Sequence, residues 1–124
     1  LEVVTAHSRN VVAQYRQGIR ADSIKHPQIP AKGEAVFARY PLIVPDKPAF
    51  LMAARRANVE LAEWYTTPVH PLKGNELSLV YYEPGSCPNA EQRCREVVTL
   101  PTHHVVGRRD VERVVKFFNK VRSL

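Results

Sequence analysis

Apolar residues in this chain change their spacing repeatedly, from helical to alternating and back, and prolines stand near most of the changes. Val4, Val11, Val12, Tyr15 and Ile19 recur at helical spacing with Ser8, Arg9, Asn10, Gln14 and Arg16 between them, which predicts an amphipathic helix over 1–19 ending near Gly18. Pro27, Pro30 and Gly33 then mark a surface connector. Residues 35–40 and 42–44 are β-branched and aromatic, so they read as strand. Pro41 between them lacks a ladder donor and belongs at a strand edge or bulge.

Asp46 followed by Pro48 is a helix start, because the carboxylate accepts free amides and proline fits the first turn. Phe50 to Ala57 continues that helix, and Asn58 is suited to end it in a left-handed conformation. Residues 59–65 alternate apolar with polar, as a half-buried strand does. A long stretch over 66–86 carries Pro and Gly around the apolar run 77–82; its structure stays open, and it is too long for a plain loop without a function. A short helix follows to about Arg95, then a strand over 97–100 closed by Pro101. Asp110 opens a last helix with Val111, Val114, Val115, Phe118 and Val121 on one stripe and Glu112 and Lys116 spaced to pair on the wet side.

This order predicts an α/β domain of the α+β type: a small sheet of three or four strands with helices packed largely on one face. Such a domain leaves its other face in need of a partner. With 124 residues, 44% hydrophobic and 24% charged, the chain has the proportions of one globular domain. No apolar run approaches the ~20 residues of a membrane span, and the N-terminus has no secretory pattern, so a cytoplasmic protein is expected. Cys87 and Cys94, if on one helix, are separated by a rise of about 10.5 Å, beyond disulfide reach. Leu1 runs straight into the first helical pattern, which suggests that a preceding part was removed.

The net charge of +6 would suit a nucleic acid if it were concentrated. Arg55, Arg56, Arg93, Arg95, Arg108 and Arg109 instead fall on separate elements, as a solvated surface would have them. Stacking on RNA would need aromatic residues such as Phe37, Tyr40, Trp64 and Tyr65 on a sheet face, but no basic-Gly-aromatic signature accompanies them. Metal binding is disfavoured, because the five histidines lack HExxH spacing and the two cysteines are not closely paired. Neither GxGxxG nor a Walker loop occurs. Cys87 precedes a helix start, where a thiolate is favoured, yet no hydrolase flank surrounds it and a buried thiol is the plainer expectation.

Residues 66–71, Thr-Thr-Pro-Val-His-Pro, place His70 between two prolines just past a strand end. A stiff backbone presents an imidazole in one direction, which a binding site needs; the plainer alternative is a histidine packed in a turn.

Several segments resemble the C-terminal part of the DegT/DnrJ/StrS family of sugar aminotransferases, in the family's order and over nearly the whole chain. They are Arg9 through Tyr15, Ala38-Arg39-Tyr40-Pro41, the Phe50-to-Asn58 helix, Pro68-Val69-His70, Pro88-Asn89-Ala90-Glu91 and Leu100-Pro101-Thr102-His103. Asn58-Val59 stands where the family usually has Gly-Ile. The resemblance implies the small C-terminal domain of a fold-type-I enzyme, with residues 1–20 as the helix connecting it to a missing large domain and 66–86 near the active site. The parent would be a homodimer that uses pyridoxal phosphate to move an amino group from glutamate to a keto sugar on a nucleotide. His70 and Tyr65 would line the sugar-nucleotide side, with His103 a further candidate. The Schiff-base lysine would lie outside this chain, since Lys25, Lys32, Lys47, Lys73, Lys116 and Lys120 sit in polar or turn-rich contexts. The chain alone would then be inactive. The competing class is a basic α+β binding module for nucleic acid or protein, without catalysis.

Overall fold

In the computed structural model, residues 2–121 are described. The elements are helix α1 (Glu2–Gly18), strand β1 (Arg39–Ile43), helix α2 (Lys47–Arg56), a 3-10 helix (Gly74–Val80), helix α3 (Pro88–Glu96), strand β2 (Val97–Pro101) and helix α4 (Arg108–Lys120). β1 and β2 pair antiparallel, Arg39 opposite Pro101 and Ile43 opposite Val97.

The sheet is thus two-stranded, where three or four strands are expected from the sequence. The outer strands are reduced to single bridges, Lys25 with Ile43 on one side and Ala62 with Thr99 on the other. Residues 59–65 leave the sheet edge after Ala62, and the Tyr65 carbonyl accepts from Lys47 Nζ. Pro41 lies within β1. It has the same parity as Ile43, whose N–H bonds Lys25 on the side away from β2, so the donor Pro41 lacks would have faced that outer side.

Alternation decides the faces. Tyr40, Leu42, Val98 and Leu100 are almost wholly buried and meet Tyr15 of α1, Phe50 of α2 and Phe118 of α4 in one core. Phe50 stacks on Phe118 and meets Phe117 edge-on, while Tyr15 stacks on Tyr40. The Tyr15 hydroxyl donates to the Pro101 carbonyl at 3.0 Å, so this buried phenol leaves no polar atom unmet, and burial raises its pKa far above the ordinary range.

Local chemistry sets the helix ends. Asp46 Oδ1 accepts from the Ala49 amide at 3.0 Å with proline in the first turn of α2, and Asn58 closes the helix at φ 52°. α4 begins at Arg108, two residues before the expected start; Asp110 sits in its first turn and accepts from the Gly107 amide at 2.9 Å. Glu112 pairs with Arg108 at 2.9 Å rather than with Lys116. Val4, assigned to the apolar stripe, is exposed, with none of the described residues covering it; Val115 and Val121 of the α4 stripe are only partly buried, and Phe117 joins the core beside Phe118.

The two terminal helices pack closely at Gly18, where a Cβ would fall 2.7 Å from a Val115 methyl. Asn119 seals this junction: its amide donates to the Gly18 carbonyl at 2.8 Å and its oxygen accepts from the Arg20 amide at 2.9 Å. Those are otherwise orphan groups at a helix end.

Candidate functional site

The outer face of the sheet carries the opposite parity of side chains, and Arg39 is the largest of them on β1. Its Nε donates to Thr99 Oγ1 at 3.0 Å and both terminal nitrogens lie 3.3 Å from Glu60 Oε1. This holds the guanidinium plane over Trp64, 5.9 Å from the ring centroid. Trp64 stacks on Tyr65 at 6.3 Å, and Tyr65 meets the His70 ring edge-on at 5.9 Å. At the other end Glu60 Oε2 is 4.0 Å from His103 Nε2.

The expected site residues therefore lie on one strip in the order His70, Tyr65, Trp64, Arg39, Glu60, His103. Tyr65 and His70 touch; His103 joins them only through the three residues between. Tyr65, His70 and His103 are all exposed. Each end opens on a hollow: about 540 Å³ beside His103 and Glu60, walled by Arg55 and Arg113, and about 230 Å³ between Tyr65, Pro68 and Arg93.

The His70 ring is oriented by its own turn. Its Nδ1 accepts from the Thr66 amide at 3.5 Å and lies 3.3 Å from Thr66 Oγ1. The His70 amide in turn donates to the Thr67 carbonyl, and the peptide to Pro71 is cis. His103 contributes its carbonyl to the turn before α4, accepting from the Val106 amide at 3.0 Å.

Residues 66–86 form a turn followed by the 3-10 helix, in which no residue is buried. The segment is latched at its far end by Glu91, which accepts from Tyr82 Oη at 2.7 Å and the Gly85 amide at 2.5 Å. Those two donors, the amide first, hold the Glu91 carboxyl below its usual range. From Glu60 through Arg93 no residue is buried, although Leu79, Val80 and Tyr81 are large and apolar.

Phe37 and Tyr40, weighed above for stacking on RNA, are packed into the core edge and the core. Two sequence expectations are corrected here. Cys87 is exposed at the start of α3, where proline sets the turn, while Cys94 is the buried thiol. Lys47 is not in an open turn: it is 3% exposed, with its Nζ on the Cys94 and Tyr65 carbonyls and on Glu63. Lys47, Arg39, Glu60 and Trp64 were missed as site-forming residues. For Arg39 the signal was present, in its parity opposite to Tyr40 and Leu42.

Among the described residues no cluster of His, Cys, Asp and Glu is placed to hold a metal ion, and no helix is long and apolar enough to cross a membrane.

A long first helix backing a small antiparallel sheet is a fold shared with solved aminotransferase structures. DesV of S. venezuelae superposes with a TM-score of 0.88 over 99% of this chain and 33% of its own, at 18% identity. A DegT DnrJ EryC1 StrS aminotransferase from Brucella abortus gives 0.80 over 99% of this chain and 32% of its own, at 17% identity. The chain belongs to the DegT/DnrJ/EryC1/StrS aminotransferase family, whose model matches residues 1–119. Among curated proteins it is similar to the dTDP-3-amino-3,6-dideoxy-alpha-D-galactopyranose transaminase of Aneurinibacillus thermoaerophilus, at 29% identity over 90% of this chain and 30% of the relative. The chain spans about a third of the length of these relatives.

Proposed function

We propose that this chain is the small, C-terminal domain of a cytoplasmic, homodimeric aminotransferase that transfers an amino group from glutamate to a nucleotide-linked keto sugar, and that its exposed strip lines the sugar-nucleotide side of the active site. The observation that carries this reading is the Tyr65–His70 pair, held ring to ring on a stretch in which nothing is buried. Trp64, Tyr65 and Tyr81 on such a stretch suit a surface completed by the rest of a longer protein. Two unpaired thiols agree with a reducing compartment.

Pyridoxal phosphate supplies the electron sink of transamination when bound. The lysines described here do not fit as its anchor. Lys47 Nζ is buried, bonded to two backbone carbonyls and paired with Glu63, and Lys25, Lys32, Lys73, Lys116 and Lys120 are exposed, without the ordered pocket an imine-forming amine requires. The domain's part is orientation. His70 offers its exposed imidazole to a sugar hydroxyl or phosphate oxygen, Tyr65 and Trp64 give flat apolar faces to a sugar or base, and Arg39 adds a fixed positive charge beside them. A basic binding module is less well supported, because Arg9, Arg39, Arg93 and Arg108 are each paired with a glutamate rather than gathered into a groove.

His70→Ala in the longer protein tests this. One lost contact to a neutral group corresponds to about 0.5–1.5 kcal/mol and to a charged one about 1.5–3, so efficiency with the sugar nucleotide should fall roughly 2- to 150-fold. Cofactor absorbance should be unchanged. Wild-type efficiency would return His70 to a packing role, and loss of cofactor would place it on the wrong side of the site.

A further inference from the structure

The segment that carries Tyr65 and His70 is tied to the remainder of the chain at few points. After the Ala62 bridge, the hydrogen bonds that leave residues 63–86 among those described are two to Glu91 at the far end and one from Lys47 to the Tyr65 carbonyl at the near end. Lys47 itself sits in the first turn of α2 and is 3% exposed. Its Nζ donates to the Cys94 carbonyl at 2.7 Å and to the Tyr65 carbonyl at 3.0 Å, and lies 3.3 Å from Glu63 Oε1. One amine thus joins α2, the end of α3 and the strip.

The choice of residue is informative. Burying an amine is costly unless every donor is met, and an apolar side chain of similar volume generally serves stability as well or better. What the amine adds is direction: it fixes the peptide of Tyr65, and with it the ring that packs on His70. We propose that Lys47 is a positioning residue for the candidate site, setting the Tyr65–His70 pair through the Tyr65 carbonyl. The role in substrate use rests on the reading of the strip given above; the anchoring role does not.

Trp64 is the single tryptophan and neighbours the anchored peptide, so it reports on the anchor directly. In this chain, Lys47→Met should raise the acrylamide quenching constant of Trp64 roughly two-fold while urea unfolding stays cooperative, because the strip opens locally and the core does not. Lys47→Arg, which keeps a cationic donor, should recover part of the protection. An unchanged quenching constant in Lys47→Met overturns the proposal, whatever happens to the unfolding midpoint. If that variant does not fold, Glu63→Gln is read the same way: increased quenching supports the anchor and unchanged quenching overturns it. In the longer protein, Lys47→Met should raise KM for the sugar nucleotide about as much as His70→Ala, and the double variant should lose little more than either alone. A fully multiplicative loss overturns the coupling. If His70→Ala is silent while Trp64 is deprotected by Lys47→Met, the reading of the strip fails and the anchor stands.

Discussion

Two adjacent aromatic pairs in this chain have opposite fates. Phe117 and Phe118 in α4 are buried against Phe50, whereas Tyr81 is 95% exposed and Tyr82 is only half-covered. Both pairs are large aromatic rings, the tyrosines adding only a hydroxyl to each. What separates them is a partner: α4 lies against α1 and the sheet, while among the described residues none between Glu60 and Arg93 is buried. The domain is therefore a core that holds itself and a surface that is held at its ends, and the two should respond differently to perturbation.

The largest expected effect is on the core. Phe118→Ala removes a ring with no exposed surface and should cost about 3–5 kcal/mol, read as a lower urea midpoint with m unchanged. Tyr81→Ala should leave the midpoint within about 0.5 kcal/mol, as for an exposed position. If the two variants are destabilised alike, the segment is part of the cooperative core and the contrast fails.

The α1–α4 junction sharpens the comparison at intermediate size. Gly18→Ala places a methyl 2.7 Å from Val115, a β-branched side chain with little freedom to move, and should cost about 1–3 kcal/mol. An effect near zero would mean that the helices slide apart freely. Asp46→Ala removes the cap of α2 and should cost about 1 kcal/mol in the same unfolding assay. Because α2 also carries Lys47, this variant should additionally raise Trp64 quenching slightly; a purely global effect would separate the cap from the anchor.

Much of the core was legible because each rule involved acts over a few residues. Asp46 with Pro48, Asn58 at positive φ, and the stripe Val111, Val114, Phe118 depend on spacing that any helix must respect. Strand number was not legible: residues 59–65 have the right alternation, but pairing stops at the single Ala62–Thr99 bridge, and the Tyr65 carbonyl is held by Lys47, distant in sequence. The close approach at Gly18 and its seal by Asn119 likewise join opposite ends of the chain. Of the site, Tyr65 and His70 were reached through resemblance and found in contact, while the link to His103 through Trp64, Arg39 and Glu60 required the sheet's register.

The smallest expected effect lies at the outer end of the exposed segment and depends on pH. The Gly85 amide and the Tyr82 hydroxyl both donate to Glu91, and they favour its ionised form, so its folded pKa lies below the unfolded value. A group shifted in this direction contributes stability above its unfolded pKa, and the contribution is lost as pH falls through the folded pKa. The latch should hold at neutral pH and release only in acid below the ordinary glutamate range. Hydrogen exchange at the Gly85 amide, corrected for its intrinsic pH dependence, should therefore lose protection in acid while the amides of β2 keep theirs. Glu91→Gln should remove the pH dependence and leave Gly85 weakly protected throughout. Simultaneous loss of protection at Gly85 and in β2 would show that segment and core open together, which is the result that would end the distinction between them.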